Sequence, residues 1–200
     1  MFVPLHDDNP LKQIKAQIVT VGLIAVNIAA FVVFQSGFFA DPEETALGLG
    51  VIPAVLFDLE ELAPQFVLVP EELTLLTYNF VHGGWLHLLG NMLFLWVFGD
   101  NVEDATGHFR FLLFYLGCGV FAALAHSLAM PGSELPLVGA SGAVAGVIGA
   151  YLVLHPKVRL WVLILWRPPT RISATWALGF WTATQLIYAL TPPASTCALA

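Results

Sequence analysis

Charge is what this sequence has least of. Lys, Arg, Asp and Glu make up 10% of its 200 residues, against roughly 25% in a soluble domain. So few charges cannot coat a water-facing surface, which excludes a cytosolic globule. Basic residues are scarcer still: seven Lys and Arg stand against fourteen Asp and Glu, a formal charge of −7. A nucleic-acid partner is excluded, because there is no basic footprint. The two cysteines, Cys118 and Cys197, both lie in apolar surroundings and make no disulfide framework. Also missing are a repeat of 20–50 residues, a low-complexity tract and any boundary where a second domain could begin. What is abundant is hydrocarbon: 58% of residues are hydrophobic and the mean hydropathy is +0.81. The expectation is an all-α, polytopic membrane helix bundle, one transmembrane domain over residues 1–200.

Uncharged apolar stretches of about 20 residues mark spans, and five are visible, at 16–34, 85–103, 111–130, 138–154 and 173–190. The first is too long for a signal-peptide core, and Asp7 and Asp8 spoil a basic leader, so it reads as an uncleaved helix. Lys12 and Lys15 precede span one, Arg110 separates spans two and three, and Lys157, Arg159, Arg167 and Arg171 separate spans four and five. With the N-terminus inside, every one of them is cytoplasmic. The positive-inside rule then sets N-in and C-out, in the inner or plasma membrane of a bacterium. The outer loop, about 38–79, is acidic but carries apolar pieces, Val51–Phe57 and Phe66–Val69, that suit a loop dipping into the headgroups. Val158–Trp166 is too short to cross and is expected along the inner interface.

Polar side chains that hydrocarbon should exclude carry the functional information. His87 and Asn91 are four apart and share a helix face near the outer start of span two. His82 precedes them across Gly83-Gly84. Taken alone, such groups are as well explained as hydrogen-bonding glue between helices. Span four opens with VGASGAVAGVIGA. Ser141 at its start could be no more than a cap, and Gly142 and Gly146 have the spacing that lets another backbone approach. However, the topology puts Ser141 in the same leaflet as His87 and Asn91. Acyl transfer needs a nucleophile and donors aimed at a developing oxyanion. A helix N-terminus supplies N–H groups and a positive dipole end, His87 and Asn91 could add donors, and Gly139 would let backbone approach a substrate carbonyl.

Together FVHGGWLHLLGNMLFLWVFGDNVED (Phe80–Asp104) and GASGAVAGVIGAYLVLHP (Gly139–Pro156) resemble the rhomboid intramembrane serine proteases, from span one to span five. The paired motifs are H-x4-H-x3-N in span two and G-x-S-G opening span four. The resemblance implies Ser141 as nucleophile, and its backbone with His87 and Asn91 as the oxyanion site. It implies His82 lining a water-accessible cavity and Glu103 holding the cytoplasmic end of span two through hydrogen bonds. It implies no metal and no cofactor, and the partners are transmembrane helices of client proteins and the bilayer itself. The chain departs from the family at Leu73-Thr74, where many members carry Trp-Arg. It also shows five of the family's six helices, and the general-base histidine of the sixth, in an A-H-x-x-G-type setting, is not found.

None of the six histidines obviously replaces that base. His155 lies about 21 Å from Ser141 along the helix axis, His6 and His108 are expected on the cytoplasmic side, and nothing directs His126 to Ser141. The expectation is therefore a truncated or otherwise broken serine endopeptidase, weakly active or inactive as it stands. A sixth helix is expected to pack on Gly142, Gly146 and Gly149. The alternative is a non-proteolytic rhomboid-like protein that binds unstable membrane helices. A transporter is disfavoured, because paired intramembrane carboxylates and an inverted repeat are lacking.

Overall fold

The computed structural model describes residues 2–164, 170–176 and 179. They fall into two compact units, one of Pro10–Ala150, the other of Met1–Asn9 with Tyr151–Ala200. The first unit is helical: α1 (Ile18–Phe34), α2 (Pro42–Leu49), α3 (Pro53–Leu56), α4 (Glu71–Thr77), α5 (Trp85–Thr106), α6 (His108–Ala129) and the opening of α7 (Ser141–Leu154). Short 3-10 turns lie at Pro64–Phe66 and Tyr78–Phe80.

These helices are inside-out by the standard of a soluble protein. α1 buries Thr20, Leu23, Asn27 and Phe31, spaced along one face, while Ile18, Val21, Val26, Val32, Val33 and Phe34 are exposed. Buried polar residues recur elsewhere, among them Asn79, His82, Asn91, Asn101 and Glu103. Water would drive the reverse arrangement; lipid tolerates apolar exteriors and leaves polar groups to find partners inside. The fold is a membrane helix bundle. Among the described residues α6 alone is long and apolar enough to cross a membrane. α5 reaches that standard with the helical stretch Pro64–Phe80 before it, from which it bends by 79°.

Close approaches set the packing. Gly99 of α5 lies against Thr20, where a Cβ would come within 3.1 Å of its side chain, so α1 sits tightly on α5. Gly107 (φ +81°) makes the one-residue turn from α5 into α6, a conformation that side chains other than glycine rarely adopt. Gly142 and Gly146 do admit a neighbouring helix, but it is α6. A Cβ on them would clash with Ala122 and Cys118, whereas Gly149 has nothing within 4 Å. Gly142 and Gly146, expected to pack a sixth helix, thus pack on α6, and with Phe114, Cys118 and Ala122 they still line a groove.

The long connection between α1 and α5 is built rather than draped. Asp41 caps α2 by accepting the Glu43 N–H at 2.8 Å, Thr77 Oγ1 donates to the Leu49 carbonyl at 2.7 Å, and Val51 pairs with Leu137 in a β-bridge. Val51 and Ile52 are buried, and Val51 forms a small core with Tyr78 and Ala123. The first apolar piece of the loop therefore serves the interior rather than the headgroups. In the second piece Val67 and Leu68 are exposed, as are Phe38 and Phe39.

The other described unit holds a small antiparallel sheet of order β1-β2-β3, made of β1 (Phe2–Asp7), β2 (Arg159–Ile164) and β3 (Thr170–Ser173). The apolar piece Val158–Trp166, expected along the inner interface, holds β2. Leu160 and Val162 are buried while Arg159 and Leu163 are exposed, the period-2 alternation of a strand. The Arg171 guanidinium lies 4.5 Å over the Trp161 ring. The fifth expected span, 173–190, falls almost wholly outside the described residues.

Candidate active site

Ser141 is the first residue of α7 and is exposed, while Gly139 and Ala140 just before it are buried. The approach to this serine is held by backbone bonds at successive positions. Leu137 exchanges N–H and carbonyl with Val51 at 2.8 and 3.1 Å, and the Gly139 N–H donates to the Tyr78 carbonyl at 3.0 Å. The Ala140 N–H makes a long bond, 3.5 Å, to His82 Nε2. Tyr78 is itself fixed by its hydroxyl, which donates to the Gly119 carbonyl of α6 at 2.6 Å.

Gly139 is required twice over. Its φ of +117° is a region that L side chains avoid. Its α-carbon also faces the His87 imidazole so closely that a Cβ would lie 2.6 Å from Cε1 and 2.7 Å from Nε2. His87 stands in the first turn of α5, exposed, with its ring edge-on to His82 at 5.2 Å between centroids. The Gly83 N–H points at His87 Nδ1 at 3.4 Å. A ring nitrogen that accepts a hydrogen bond leaves the proton of the neutral imidazole on the other nitrogen. His87 therefore presents an Nε2–H donor towards Gly139. By the same argument His82 accepts at Nε2 and carries its proton on Nδ1, which has no partner among the described residues. Asn91, one turn below His87 and buried, donates to the His87 carbonyl at 3.2 Å.

The arrangement thus combines a helix N-terminus, an exposed hydroxyl on its first residue, an imidazole N–H beside the residue two positions earlier, and a carboxamide one turn away. Such a set can hold negative charge on an oxygen next to Ser141. A family model described as the Rhomboid domain matches residues 70–200, well over half of the chain. The chain belongs to the rhomboid family. Its relatives include the chloroplastic Rhomboid-like protein 11 of Arabidopsis thaliana, 45% identical over 71 residues, which are 36% of this chain and 25% of that protein. Rhomboid protease GluP of Bacillus subtilis is 44% identical over 78 residues, 39% of this chain and 15% of that protein. RHOMBOID-like protein 5 of Arabidopsis thaliana is 35% identical over 104 residues, 52% of this chain and 34% of that protein. The chain therefore spans at most about a third of the length of these relatives.

Within this rhomboid fold the structure draws His82, His87 and Gly139 together beside Ser141. It sends Glu103 elsewhere: fully buried near the opposite end of α5, Glu103 accepts from the Val19 N–H (2.9 Å), the Thr20 N–H (2.8 Å) and the Thr20 hydroxyl (2.7 Å). It thereby caps the first turn of α1. Asp104 accepts in turn from the backbone N–H groups of Lys12, Gln13 and Ile14 at 2.6–3.0 Å. Two contributors near the serine escaped the sequence reading, Tyr78 and Gln35. Gln35 is buried at the end of α1 and bonds to the backbone of His82. The available signal was a carboxamide inside an uncharged run that extends from Ala16 to Ala40, since a polar group there needs a partner.

Proposed function

We propose that this rhomboid is an intramembrane serine endopeptidase that cleaves transmembrane segments of client membrane proteins, with Ser141 as nucleophile. The observation that carries the reading is the His87 ring against Gly139, two residues before Ser141, with its donor nitrogen on that side. Attack by the Ser141 oxygen on a substrate carbonyl would leave charge on the carbonyl oxygen. The α7 N-terminus, His87 Nε2–H and the Asn91 carboxamide would then receive that charge. Gly142 and Gly146 hold α7 against α6, so the nucleophile stands on a rigid element. His82 orders the preceding loop, and Glu103 fixes α1 to α5.

Depth supports an intramembrane reaction. α7 has 14 residues, about 21 Å of helix, against a hydrocarbon core of about 30 Å. A helix this short cannot cross that core, so with its far end at the inner interface Ser141 would lie below the outer surface. We place the N-terminus in the cytoplasm, the serine towards the outer leaflet, and the protein in a bacterial inner or plasma membrane.

A serine hydroxyl needs a base, and all six histidines precede Pro156. His82 and His87, which lie near Ser141, accept hydrogen bonds from Ala140 and Gly83. The test is labelling by a serine-reactive fluorophosphonate. It compares the 200-residue chain, its Ser141→Ala variant and a version carrying a family sixth helix with its histidine. Ser141-dependent labelling that appears or strengthens with the added helix is expected. No Ser141-dependent labelling in either version would defeat the protease reading. It would favour the second one, a rhomboid that binds membrane helices without cutting them, for which the engagement of both nearby histidines speaks.

A further inference from the structure

We propose that Gln35 is a positioning residue for the Ser141 site, its carboxamide clamping the backbone of His82 so that the His82 ring can hold the loop entering α7. This rests on the reading of Ser141 as the reactive residue. Gln35 ends α1, its own N–H donating to the Phe31 carbonyl at 2.9 Å. Its side chain then does what a neighbouring strand would do. Nε2 donates to the His82 carbonyl at 2.6 Å, and Oε1 accepts the His82 N–H at 2.7 Å. Both residues are buried, Gln35 at 8% exposure and His82 at 1%, so the two bonds lie away from bulk water.

The clamp matters because His82 has little else to orient it. Its Nδ1 finds no partner among the described residues, and its Nε2 makes only the long bond from Ala140. A bond of 3.5 Å is at the limit of usefulness, and a ring shift of a few tenths of an ångström would end it. The position of the His82 backbone therefore decides whether the ring reaches Ala140, and two short bonds to Gln35 decide that position. Among the described residues the Gln35 side chain hydrogen-bonds to His82 and not to Ser141 or His87; it acts through His82. A carboxamide is the one side chain type that offers a donor and an acceptor at the spacing of a peptide group. Glutamate in its ionised form keeps only the acceptor, and methionine fills the space with neither.

The experiment follows backbone amide exchange in the full chain in lipid nanodiscs, for wild type, Gln35→Met, Gln35→Glu and Ser36→Ala, each normalised to wild type at the same pH. Gln35→Met is expected to speed exchange at Gly139–Ser141 by about tenfold, the worth of one hydrogen bond, with residues 103–108 and the Ser36→Ala control unchanged. Gln35→Glu is expected to protect Gly139–Ser141 like wild type in acid, where its carboxyl can donate to the His82 carbonyl, and to lose that protection as the carboxyl ionises. A space-filling role predicts instead that methionine serves as well as glutamine and that glutamate shows no such pH profile. Unchanged exchange at Gly139–Ser141 in Gln35→Met, or a uniform rise across all helices, overturns the clamp. Fluorophosphonate labelling of Ser141 in the wild-type background judges the protease reading separately, because amide exchange needs no catalysis.

Discussion

α5 ends in two very different ways. Towards Thr106 it carries Glu103 and Asp104, which together accept six hydrogen bonds of 2.6–3.0 Å from the start of α1 and the chain just before it. Towards Trp85 it carries His87 and Asn91, with His82 just before it, and the side-chain bonds of these three to Ala140, Gly83 and the α5 backbone run from 3.2 to 3.5 Å. At the first end charged acceptors satisfy backbone donors that a helix start leaves open, an arrangement with everything paired and nothing left to offer a ligand. At the second end donors are held in place but only weakly engaged, and His87 is exposed. A group that must turn to a substrate cannot spend its hydrogen bonds on its own fold. One helix thus separates stability from reactivity by about its own length.

The largest effect should come from breaking the paired end. Glu103→Ala removes a fully buried acceptor shared by Val19 and Thr20 and faced by His108. Each buried donor left unpaired costs about 1–3 kcal/mol. A marked fall in melting temperature is expected. Ser141 labelling by the fluorophosphonate, in the helix-appended version well below that temperature, should stay near its starting rate. A site defect without a stability defect would show that the two ends are not divided as described.

Asn91→Ala tests the other end with the opposite signature. Its carboxamide bonds to the His87 carbonyl within its own helix and no bond from it to another helix is seen among the described residues, so little thermal stability should be lost. Labelling of Ser141 should fall steeply, since one oxyanion donor is worth on the order of 3 kcal/mol of barrier. If the melting temperature drops while labelling persists, Asn91 is packing glue and the comparison fails at its reactive end.

The two ends were not equally legible in the sequence. The reactive one was, because its signal is local: His87 and Asn91 are one turn apart, Ser141 opens an apolar helix, and Gly139 sits two residues earlier. Short spacings on regular elements fix which groups share a face. That Glu103 would make hydrogen bonds at the far end of α5 was implied by resemblance, but not that its partners would be the first turn of α1. Gln35 meets His82 across 47 positions, and Asp104 meets Lys12 across 92, with backbone groups as the partners. Every residue owns such groups, so no pattern of residue types betrays the pairing. The sheet was missed for the same reason. β2 was read as an isolated apolar piece because its partner strand, β1, lies at the other end of the chain.

Gly139→Ala sharpens the comparison at its narrowest point. The substitution puts a Cβ into a positive φ and against the His87 ring. Strain of this kind costs about 1–3 kcal/mol. The clash is relieved only if the loop and the His87 ring move apart, so the loss of Ser141 labelling should exceed what the fall in stability explains. Crosslinking between cysteines placed at 83 and 138 should weaken in the same variant. Retained labelling would mean that the contact between His87 and Gly139 is not part of the reactive arrangement.

The smallest effect concerns Asp7, a carboxylate in which burial outweighs the pull of its hydrogen bonds. Burial pushes its pKa above the usual 3.8, against the opposing pull of the Tyr151 hydroxyl, which donates to Asp7 Oδ2 at 2.6 Å, and of His6, the Asn9 backbone and His155. The sign follows from comparing folded and unfolded chains. A carboxyl whose folded pKa is raised favours the folded state while it is protonated. That advantage is complete below pH 3.8 and is lost as pH rises through the folded value. At neutral pH the ionised Asp7 therefore weakens the unit containing the sheet. Asp7→Asn keeps an oxygen for the Tyr151 hydroxyl and removes the buried charge, so it should stabilise that unit at pH 7 and lose the advantage in acid. Slower amide exchange over residues 159–164 in the variant at pH 7, normalised for intrinsic rates and converging with wild type near pH 3.5, is the expected outcome. A variant that exchanges faster at pH 7 would mean that the Tyr151 bond to a charged oxygen outweighs burial. Asp7 would then join Glu103 among the paired acceptors.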